Sequence, residues 1–189
     1  MKLSVSDETI CYPIYVENLI KIKVVTGNIL DCRLNMNEML GNQYFLARNY
    51  LKAKSAYEAV LKEHPQNLTV RKRIVICYIE CGEISQAFNV FYALVVDDIE
   101  TIINTNPAAD DCPCPELVKN YGTILPYEEN SRDLKLMLAM LWLYCNPEKS
   151  LEFFKKLKTE NPGERRFEEI CNLVQKKLSV KHESHIHKI

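Results

Sequence analysis

Cys112 and Cys114, separated only by Pro113, are the residues of this sequence whose types and spacing could most readily do chemistry. Two thiolates at this spacing could bind a soft metal ion or form a redox pair. A structural zinc site, however, needs four ligands, usually supplied as two such pairs, and the other close pair, Cys77 and Cys81, is expected inside a helix. We therefore expect a loop with incidental cysteines, no metal and no cofactor. A thiol-based redox sensor or metal carrier that uses Cys112 and Cys114 is kept as an alternative.

Other motifs that would indicate catalysis are not found in the sequence. It has no Gly-rich phosphate loop, no His-Glu-x-x-His and no Ser or Cys nucleophile with a nearby base. His182, His185 and His187 could hold a metal loosely, but residues 179–189 also contain Ser, Lys and Glu and are expected to form a flexible tail. The sequence does not predict an enzyme.

Composition limits the partners and the compartment. The 24 Lys and Arg residues balance 25 Asp and Glu residues, so the usual electrostatic reason to propose nucleic acid is missing. The longest apolar run, Leu136 to Cys145, has ten residues, whereas a bilayer-spanning helix needs about 20. No apolar segment typical of a secretory signal follows Met1, so we expect eight reduced cysteines, a cytoplasmic location and no membrane insertion.

A pattern of small, aromatic and proline residues recurs along the chain. The first copy has Leu40, Gly41, Tyr44, Ala53, Tyr57 and Pro65. The second copy, 34 residues later, has Ile74, Val75, Tyr78, Ala87 and Phe91. The third copy has Met137, Leu138, Leu141, Ser150, Phe154 and Pro162.

Each copy predicts two antiparallel helices joined by a short turn. Small residues let the helices approach, so Gly41 is expected to face Ala53, and the aromatic residues fill the space where the helices diverge. The proline stops the second helix, because the residue before a proline is disfavoured in the helical region. One pair cannot bury its own apolar face, so the pairs are expected to stack.

These residues resemble the tetratricopeptide repeat family over residues 34–101 and 131–164. The second and third copies depart from the family pattern where the helices approach closely. Val75 stands where a small residue is usual, and the third copy has Leu138 and Ser150 at its close-contact positions. Asn37, Arg71 and Leu134 stand where the family has a tryptophan. The resemblance implies an all-α fold, in which helix-turn-helix repeats form a short right-handed superhelix with a C-terminal capping helix.

The remaining segments are assigned around these repeats. Residues 1–33 are a helical or hairpin extension, with Tyr15, Leu19, Ile22, Val25 and Ile29 on one helical stripe. Two repeats occupy 34–101, an insert loop with a short helix from Pro115 to Tyr121 occupies 102–130, and the third repeat occupies 131–164 with Ser131 as its cap. Residues 165–178 are a capping helix, and the flexible tail follows.

By the resemblance, the first helix of each pair lines a concave groove that binds a partner. The positions expected to face the partner are Asn35, Glu38, Asn42, Phe45, Thr69, Lys72, Ile76, Ile79, Arg132, Lys135, Ala139 and Trp142. We expect a protein or peptide partner and a role as an adaptor, a chaperone or a complex-assembly subunit; a type III secretion-like chaperone is an alternative. The oligomeric state is left open.

One helix of the third copy carries a further requirement. Leu136 to Tyr144 is apolar around its whole circumference, so every face of that helix must be covered. The neighbouring repeats and the capping helix cover only part of it. Either the 102–130 insert folds back onto the rest or a partner protein lies there.

Overall fold

Antiparallel helix pairs form the three repeat copies in the computed structural model, which describes residues 36–186, with side chains through residue 180. Residues 1–33, Asn35 and the side chains of the three C-terminal histidines lie outside the described residues. The elements are α1 (36–46), α2 (Tyr50–Glu63), α3 (Leu68–Glu80), α4 (Ile84–Asp98), α5 (Glu100–Ile103), α6 (Cys114–Ile124), α7 (Arg132–Leu143), α8 (Pro147–Glu160) and α9 (Arg165–Ile186). The expected all-α fold of repeated helix pairs is confirmed.

Polar side chains mark where these helices begin. Asn49, Asn67, Ser131 and Asn146 each accept a hydrogen bond from the backbone N–H three residues further on. This bond satisfies one of the four amide groups that have no partner inside the helix. The predicted cap at Ser131 is confirmed.

The turns inside the first two pairs have the same backbone hydrogen bonds, shifted by one repeat length. Arg48 and Asn49 donate to the carbonyls of Phe45 and Tyr44, and Gly82 and Glu83 donate to the equivalent carbonyls of Ile79 and Tyr78. The turn needs a left-handed residue, with φ of 58° at Arg48 and 75° at Gly82. Glycine adopts this conformation without steric cost, whereas Arg48 does not.

Gly41 lets α1 and α2 pack closely, but its neighbour is not the one expected from the sequence. A Cβ atom at Gly41 would lie 2.6 Å from Cε1 of Tyr57. The fully buried Tyr57 ring therefore occupies the space that we assigned to Ala53, and the prediction that Gly41 faces Ala53 is wrong. The missing side chain makes room for this aromatic ring.

The second pair is held by an ion pair in which the guanidinium is buried and the carboxylate is exposed. Arg71 stands on α3, where the family has tryptophan, and it is buried. Its guanidinium donates to the Asp97 carboxylate of α4 at 2.6 Å and to the Gln66 side chain at 3.3 Å. A buried guanidinium is stable only with such partners, so Arg71 and Asp97 join the two helices near the start of α3.

The third pair, α4 and α9 share one aromatic core. Phe91 of α4 stacks on Phe154 of α8 with ring centroids 5.8 Å apart, and Phe167 of α9 lies 5.3 Å from Phe88 and 6.2 Å from Phe154. The Ser150 hydroxyl donates to the carbonyl of Ala139 at 2.7 Å, which joins α7 and α8 at their closest approach. Repeats two and three and the last helix are thus packed around common rings.

Helix α4 ends at Asp98, and the short helix α5 follows it from Glu100 to Ile103. Two predicted boundaries are wrong. The insert helix passes through Gly122 and ends at Ile124, since an open-sided glycine is tolerated inside a helix. The last helix continues to Ile186, so the chain is not a flexible tail between residues 179 and 186. Every helix within residues 36–186 is too short or too polar to cross a bilayer.

The contact at Gly41 predicts a change in stability. Gly41→Ala should lower the free energy of unfolding by about 1–3 kcal/mol, because the added methyl group overlaps the Tyr57 ring. Gly122→Ala is the matched control, since its Cβ would meet nothing within 4 Å, and it should raise stability by about 0.5–1 kcal/mol. Urea unfolding of both variants measures the two effects, and equal stabilisation by both would contradict the packing described.

Candidate functional site

Three predicted groove residues from the first two repeats meet at one cleft. Phe45 of α1 and Lys72 and Ile76 of α3 line it, together with Arg73 and the Tyr144 ring that follows α7. We call these five residues the cleft. The cleft is not open, because Thr105, Asp110 and Cys112 of the insert line the same space. The cavity left between them is about 10 Å³, room for one water molecule at most.

The insert reaches the cleft as an irregular segment, residues 104–113, which we call the covering segment. Its Asp110 carboxylate accepts a hydrogen bond from the Lys72 ammonium at 3.1 Å and one from the backbone N–H of Asn106 at 3.2 Å. Burial opposes ionisation, but the hydrogen bond and charge of Lys72 together hold the pKa of Asp110 below its usual value. Asp110 is therefore the acidic residue that the cleft binds.

A second contact fixes the neighbouring residue through its backbone. The Arg48 guanidinium donates to the carbonyl oxygen of Asp111 at 3.2 Å. Both Arg48 and Asp111 have left-handed backbones, with φ of 58° and 50°. Non-glycine residues adopt this conformation only where surrounding contacts hold it. The turn of the first repeat and the end of the covering segment thus hold each other in place.

Tyr144 closes the cleft from the side of the third repeat. Its buried hydroxyl donates to the carbonyl oxygen of Lys72 at 2.8 Å. Burial raises the pKa of Tyr144, so the hydroxyl stays protonated and remains a donor. This bond ties the end of α7 to the first turn of α3, across 72 residues of sequence.

The polar groove positions of the first repeat form a wall beside the cleft. Asn42 accepts hydrogen bonds from the Tyr57 hydroxyl and from Arg73, whose guanidinium lies 5.9 Å from the centre of the Phe45 ring. Glu38 accepts from the Asn67 side chain at 3.0 Å. These bonds use Oδ1 of Asn42 and one carboxylate oxygen of Glu38.

The four groove positions predicted in the third repeat have contacts elsewhere. The Arg132 guanidinium lies over the Phe167 ring, and the Lys135 ammonium pairs with the Glu160 carboxylate at 2.6 Å. The Lys149 ammonium lies 4.3 Å from the centre of the Trp142 ring. Ala139 is fully buried. Those contacts are with α8 and α9 and not with the cleft.

The other predicted groove positions differ in their exposure to solvent. Phe45, Ile76 and Ile79 are at most 2% exposed, and Thr69 is exposed at the start of α3. Asn35 lies outside the described residues. Of the twelve predicted positions, the structure brings only Phe45, Lys72 and Ile76 to the cleft, with Asn42 behind them.

The insert also supplies the cover that the apolar α7 requires. Helix α6 packs on α7, α4 and α8 pack on other faces of it, and every residue from Leu136 to Leu143 except Met137 and Trp142 is buried. The Tyr121 hydroxyl of α6 donates to the Glu80 carboxylate of α3 at 2.9 Å. Of the two covers considered from the sequence, the folded-back insert is the one present.

Cys112 and Cys114 are joined as a disulfide, so the expectation that all eight cysteines are reduced thiols is wrong for this pair. Cys114 is fully buried at the start of α6, and Cys112 is half-buried beside the cleft. Within the described residues Cys77, Cys81, Cys145 and Cys171 are free, and burial raises the pKa of each thiol, that of Cys145 to about 11. These four thiols are poor nucleophiles at neutral pH.

Metal chemistry has little support in the part of the chain that the structure describes, where no group of three or more His, Cys, Asp or Glu side chains is placed to hold an ion. The arrangement at the cleft is one of recognition. The Lys72 cation and the Asn42 side chain lie beside an apolar floor, and the covering segment occupies this site with a turn that places the Asp110 carboxylate on Lys72.

Sequence reasoning missed Tyr144 and the covering segment as parts of the site. Tyr144 is the last residue of the run that is apolar around its whole circumference, and this position could have identified it. Thr105 and Asp110 lie in a loop without periodicity, where the sequence gives no signal of a long-range contact.

Comparison with known proteins supports the repeat assignment. The sequence profile of the tetratricopeptide repeat family matches residues 44–91, which span α2, α3 and the first half of α4. The turn between α1 and α2 and the turn between α3 and α4 have the same backbone hydrogen bonds. Residues 44–91 are therefore similar to tetratricopeptide repeats.

The other comparisons add little to this match. A solved structure described as the crystal structure of MamA protein is 17% identical, with 80% of this chain and 85% of that chain covered and a TM-score of 0.34. A TM-score this low gives no evidence about fold or function. No curated protein matches the sequence.

The Tyr144 hydrogen bond predicts a measurable contribution to stability. Tyr144→Phe should lower the free energy of unfolding by about 1 kcal/mol, because the ring stays while the bond to the Lys72 carbonyl is lost. Tyr127→Phe is the control; Tyr127 is 88% exposed, and its change should stay within about 0.5 kcal/mol of zero. Urea unfolding that shows no difference between the two variants would contradict the role given to Tyr144.

Proposed function

We propose that this protein is a non-catalytic binding module whose cleft takes a turn-forming segment of a partner protein that carries an acidic side chain. Tetratricopeptide repeats are in general modules for protein interaction and not enzymes. The observation that carries the proposal is the covering segment itself. An irregular stretch of this chain lies in the cleft with the Asp110 carboxylate on Lys72.

The covering segment serves as an internal example of the ligand. Its carboxylate meets the Lys72 ammonium, and its backbone carbonyl at Asp111 meets the Arg48 guanidinium. Phe45 and Ile76 supply an apolar floor that is 2% exposed when the segment is present. A partner segment that binds in the same way needs one acidic residue in a turn like that of residues 107–111.

Occupation by the covering segment makes binding conditional. A partner must displace residues 104–113. Its apparent affinity therefore equals its affinity for the open cleft multiplied by the fraction of molecules in which the cleft is open. Apolar contact with Phe45 and Ile76 supplies most of the free energy, because an ion pair that is partly exposed contributes little. The pair between Lys72 and Asp110 then selects which segments fit.

The role in the cell is proposed only as a broad class of binding protein. An adaptor, a chaperone or a complex-assembly subunit would each use such a cleft, and a cytoplasmic location stays a prediction. Nothing in the described residues favours the type III secretion-like chaperone over the others.

A binding experiment with the covering segment in trans tests the proposal. In the variant, residues 105–112 are replaced by a Gly/Ser sequence of equal length, and the ligand is a labelled peptide of residues 104–114 that is oxidised to its internal disulfide. We expect saturable binding by fluorescence anisotropy to the variant, and much weaker binding to the unaltered protein, whose cleft is filled.

Two matched peptides test the chemistry of recognition. The Asp110→Asn peptide should bind about fivefold more weakly, because it loses one hydrogen bond to a charged group. The Asp111→Asn peptide should bind as the unaltered peptide does, since Asp111 contributes its backbone carbonyl and not its carboxylate. Equal binding of all peptides to both proteins would reject the proposal.

The disulfide supports a second candidate, in which the thiol pair senses redox state and controls the cleft. Reduction by a dithiol transfers two electrons and two protons to the Cys112–Cys114 bond; the reductant becomes a disulfide and the protein gains two thiols. The half-buried Cys112 borders the cleft, so loss of the bond frees one end of the covering segment.

Proteolysis of the covering segment tests this second candidate. Dithiothreitol should increase cleavage within residues 104–113 of the unaltered protein, and mass spectrometry should count two additional thiols. The Cys112→Ser variant is the control, because it should be cleaved at one rate with or without the reductant. Cleavage of the unaltered protein that does not respond to reduction would exclude a redox function for this pair.

A further inference from the structure

A second cavity lies between the second helices of the first two pairs and shares no lining residue with the cleft. Its volume is about 390 Å³, at the lower end of the range of about 300–1,000 Å³ that is typical of small-molecule sites. We call this cavity the outer pocket. Its lining includes Leu61, Gln66, Arg71, Val90, Ala93 and Asp97.

The Arg71 guanidinium at this pocket has donors that no other residue uses. Its hydrogen bonds to Gln66 and Asp97 both leave from Nη1, so Nε and Nη2 donate to nothing within residues 36–180. In the part of the chain that the structure describes, every side-chain nitrogen that is sealed from solvent has a partner, so these two atoms are in contact with solvent. The Arg71 side chain is only 7% exposed and lines the outer pocket. Its open edge therefore faces this pocket.

The chemistry of that edge indicates the kind of ligand. Nε and Nη2 form the fork with which arginine binds a carboxylate through two parallel hydrogen bonds. Such bonds are stronger in a partly buried site than in water, because the surrounding dielectric is lower. Leu61, Val90 and Ala93 supply apolar walls around the fork. The outer pocket thus fits a carboxylate that is joined to a short aliphatic group.

Asp97 adds a requirement for a positive charge on the same ligand. Its Oδ2 accepts from Arg71 at 2.6 Å, whereas Oδ1 accepts no hydrogen bond from the described residues, and the side chain is 45% exposed. A ligand with only a carboxylate would be repelled by Asp97, whereas a zwitterion complements both charges of the pocket. A free α-amino acid carries its ammonium and its carboxylate on the same carbon atom, as this arrangement requires.

We propose that the outer pocket binds a free α-amino acid with an aliphatic side chain, such as leucine. The ligand carboxylate accepts hydrogen bonds from Nε and Nη2 of Arg71, its ammonium donates to Oδ1 of Asp97, and its side chain packs on Leu61, Val90 and Ala93. This inference goes beyond the proposed function, because it concerns a different cavity and a small molecule and does not depend on what binds the cleft.

Titration of the full chain with leucine, followed by the nuclear magnetic resonance of the backbone amides, tests the proposal. We expect saturable shifts at millimolar concentration, largest at Gln66, Val90 and Ala93. Leucinamide lacks the carboxylate and isocaproate lacks the ammonium. Each should bind about tenfold more weakly than leucine, because each loses hydrogen bonds to a charged group.

Two variants locate the site. Arg71→Lys keeps a positive charge beside Asp97 but removes the fork, so leucine should bind about tenfold more weakly. Ala93→Leu fills the cavity with a side chain that suits a helix, so leucine binding should be lost while the chain stays folded. Val96→Leu is the matched control and should bind leucine as the unaltered protein does, since Val96 is 51% exposed on the same helix and does not line the pocket.

Several results would overturn the proposal. Shifts that are absent or do not saturate with leucine would show that the pocket holds no amino acid. Equal binding of leucine and leucinamide would show that the Arg71 fork does not recognise a carboxylate. Tighter binding of an N-acetylated peptide that ends in leucine would assign the pocket to the end of a polypeptide. Unchanged leucine binding by the folded Ala93→Leu variant would place the site elsewhere.

Discussion

The apolar circumference of α7 is the constraint on which the rest of the structure depends. A helix that is hydrophobic on all sides must be surrounded, and a regular stack of repeats covers only part of it. Here α4, α6 and α8 pack on its different faces. The 29 residues between the second and third repeats are therefore needed for folding, because they supply α6 as the missing cover.

Placement of α6 has a consequence for the cleft. The chain must travel from the end of α5 at Ile103 to the start of α6 at Cys114, and residues 104–113 lie across Phe45, Lys72 and Ile76 on the way. Burial of a Phe and an Ile side chain is worth about 1.5–3 kcal/mol each, considerably more than a partly exposed ion pair. Apolar burial thus holds the segment, and the charges determine its register.

The repeat pairs could be predicted because their signal is local and periodic. The fixed spacing of small, aromatic and proline residues predicted α1 to α4, α7 and α8. The spacing is clearest in the first copy, and the other two copies depart from it at some positions. Ser131 was recognisable as a cap from its type and position. A redox pair at Cys112 and Cys114 was foreseen only as an alternative, and the cover of the cleft by residues 104–113 was not predictable, because it is a contact of an irregular loop. The longer α6 was missed because tertiary contacts such as Tyr121 with Glu80 outweigh the weak helix propensity of Gly122.

The site was only partly predictable for a related reason. Assigning groove positions by resemblance assumes that every pair stacks in the same way. That assumption holds for Phe45, Lys72 and Ile76, but Arg132 and Trp142 contact α9 and α8 instead.

The most direct test of the account is a methyl–methyl nuclear Overhauser effect between Thr105 and Ile76, measured on the methyl-labelled full chain. Both side chains line the same cavity of about 10 Å³, so the account predicts a strong cross-peak. Its absence, with a normal methyl–aromatic cross-peak between Ile76 and a protonated Phe45 ring in the same sample, would show that the cleft of the folded protein stands open and would contradict the account.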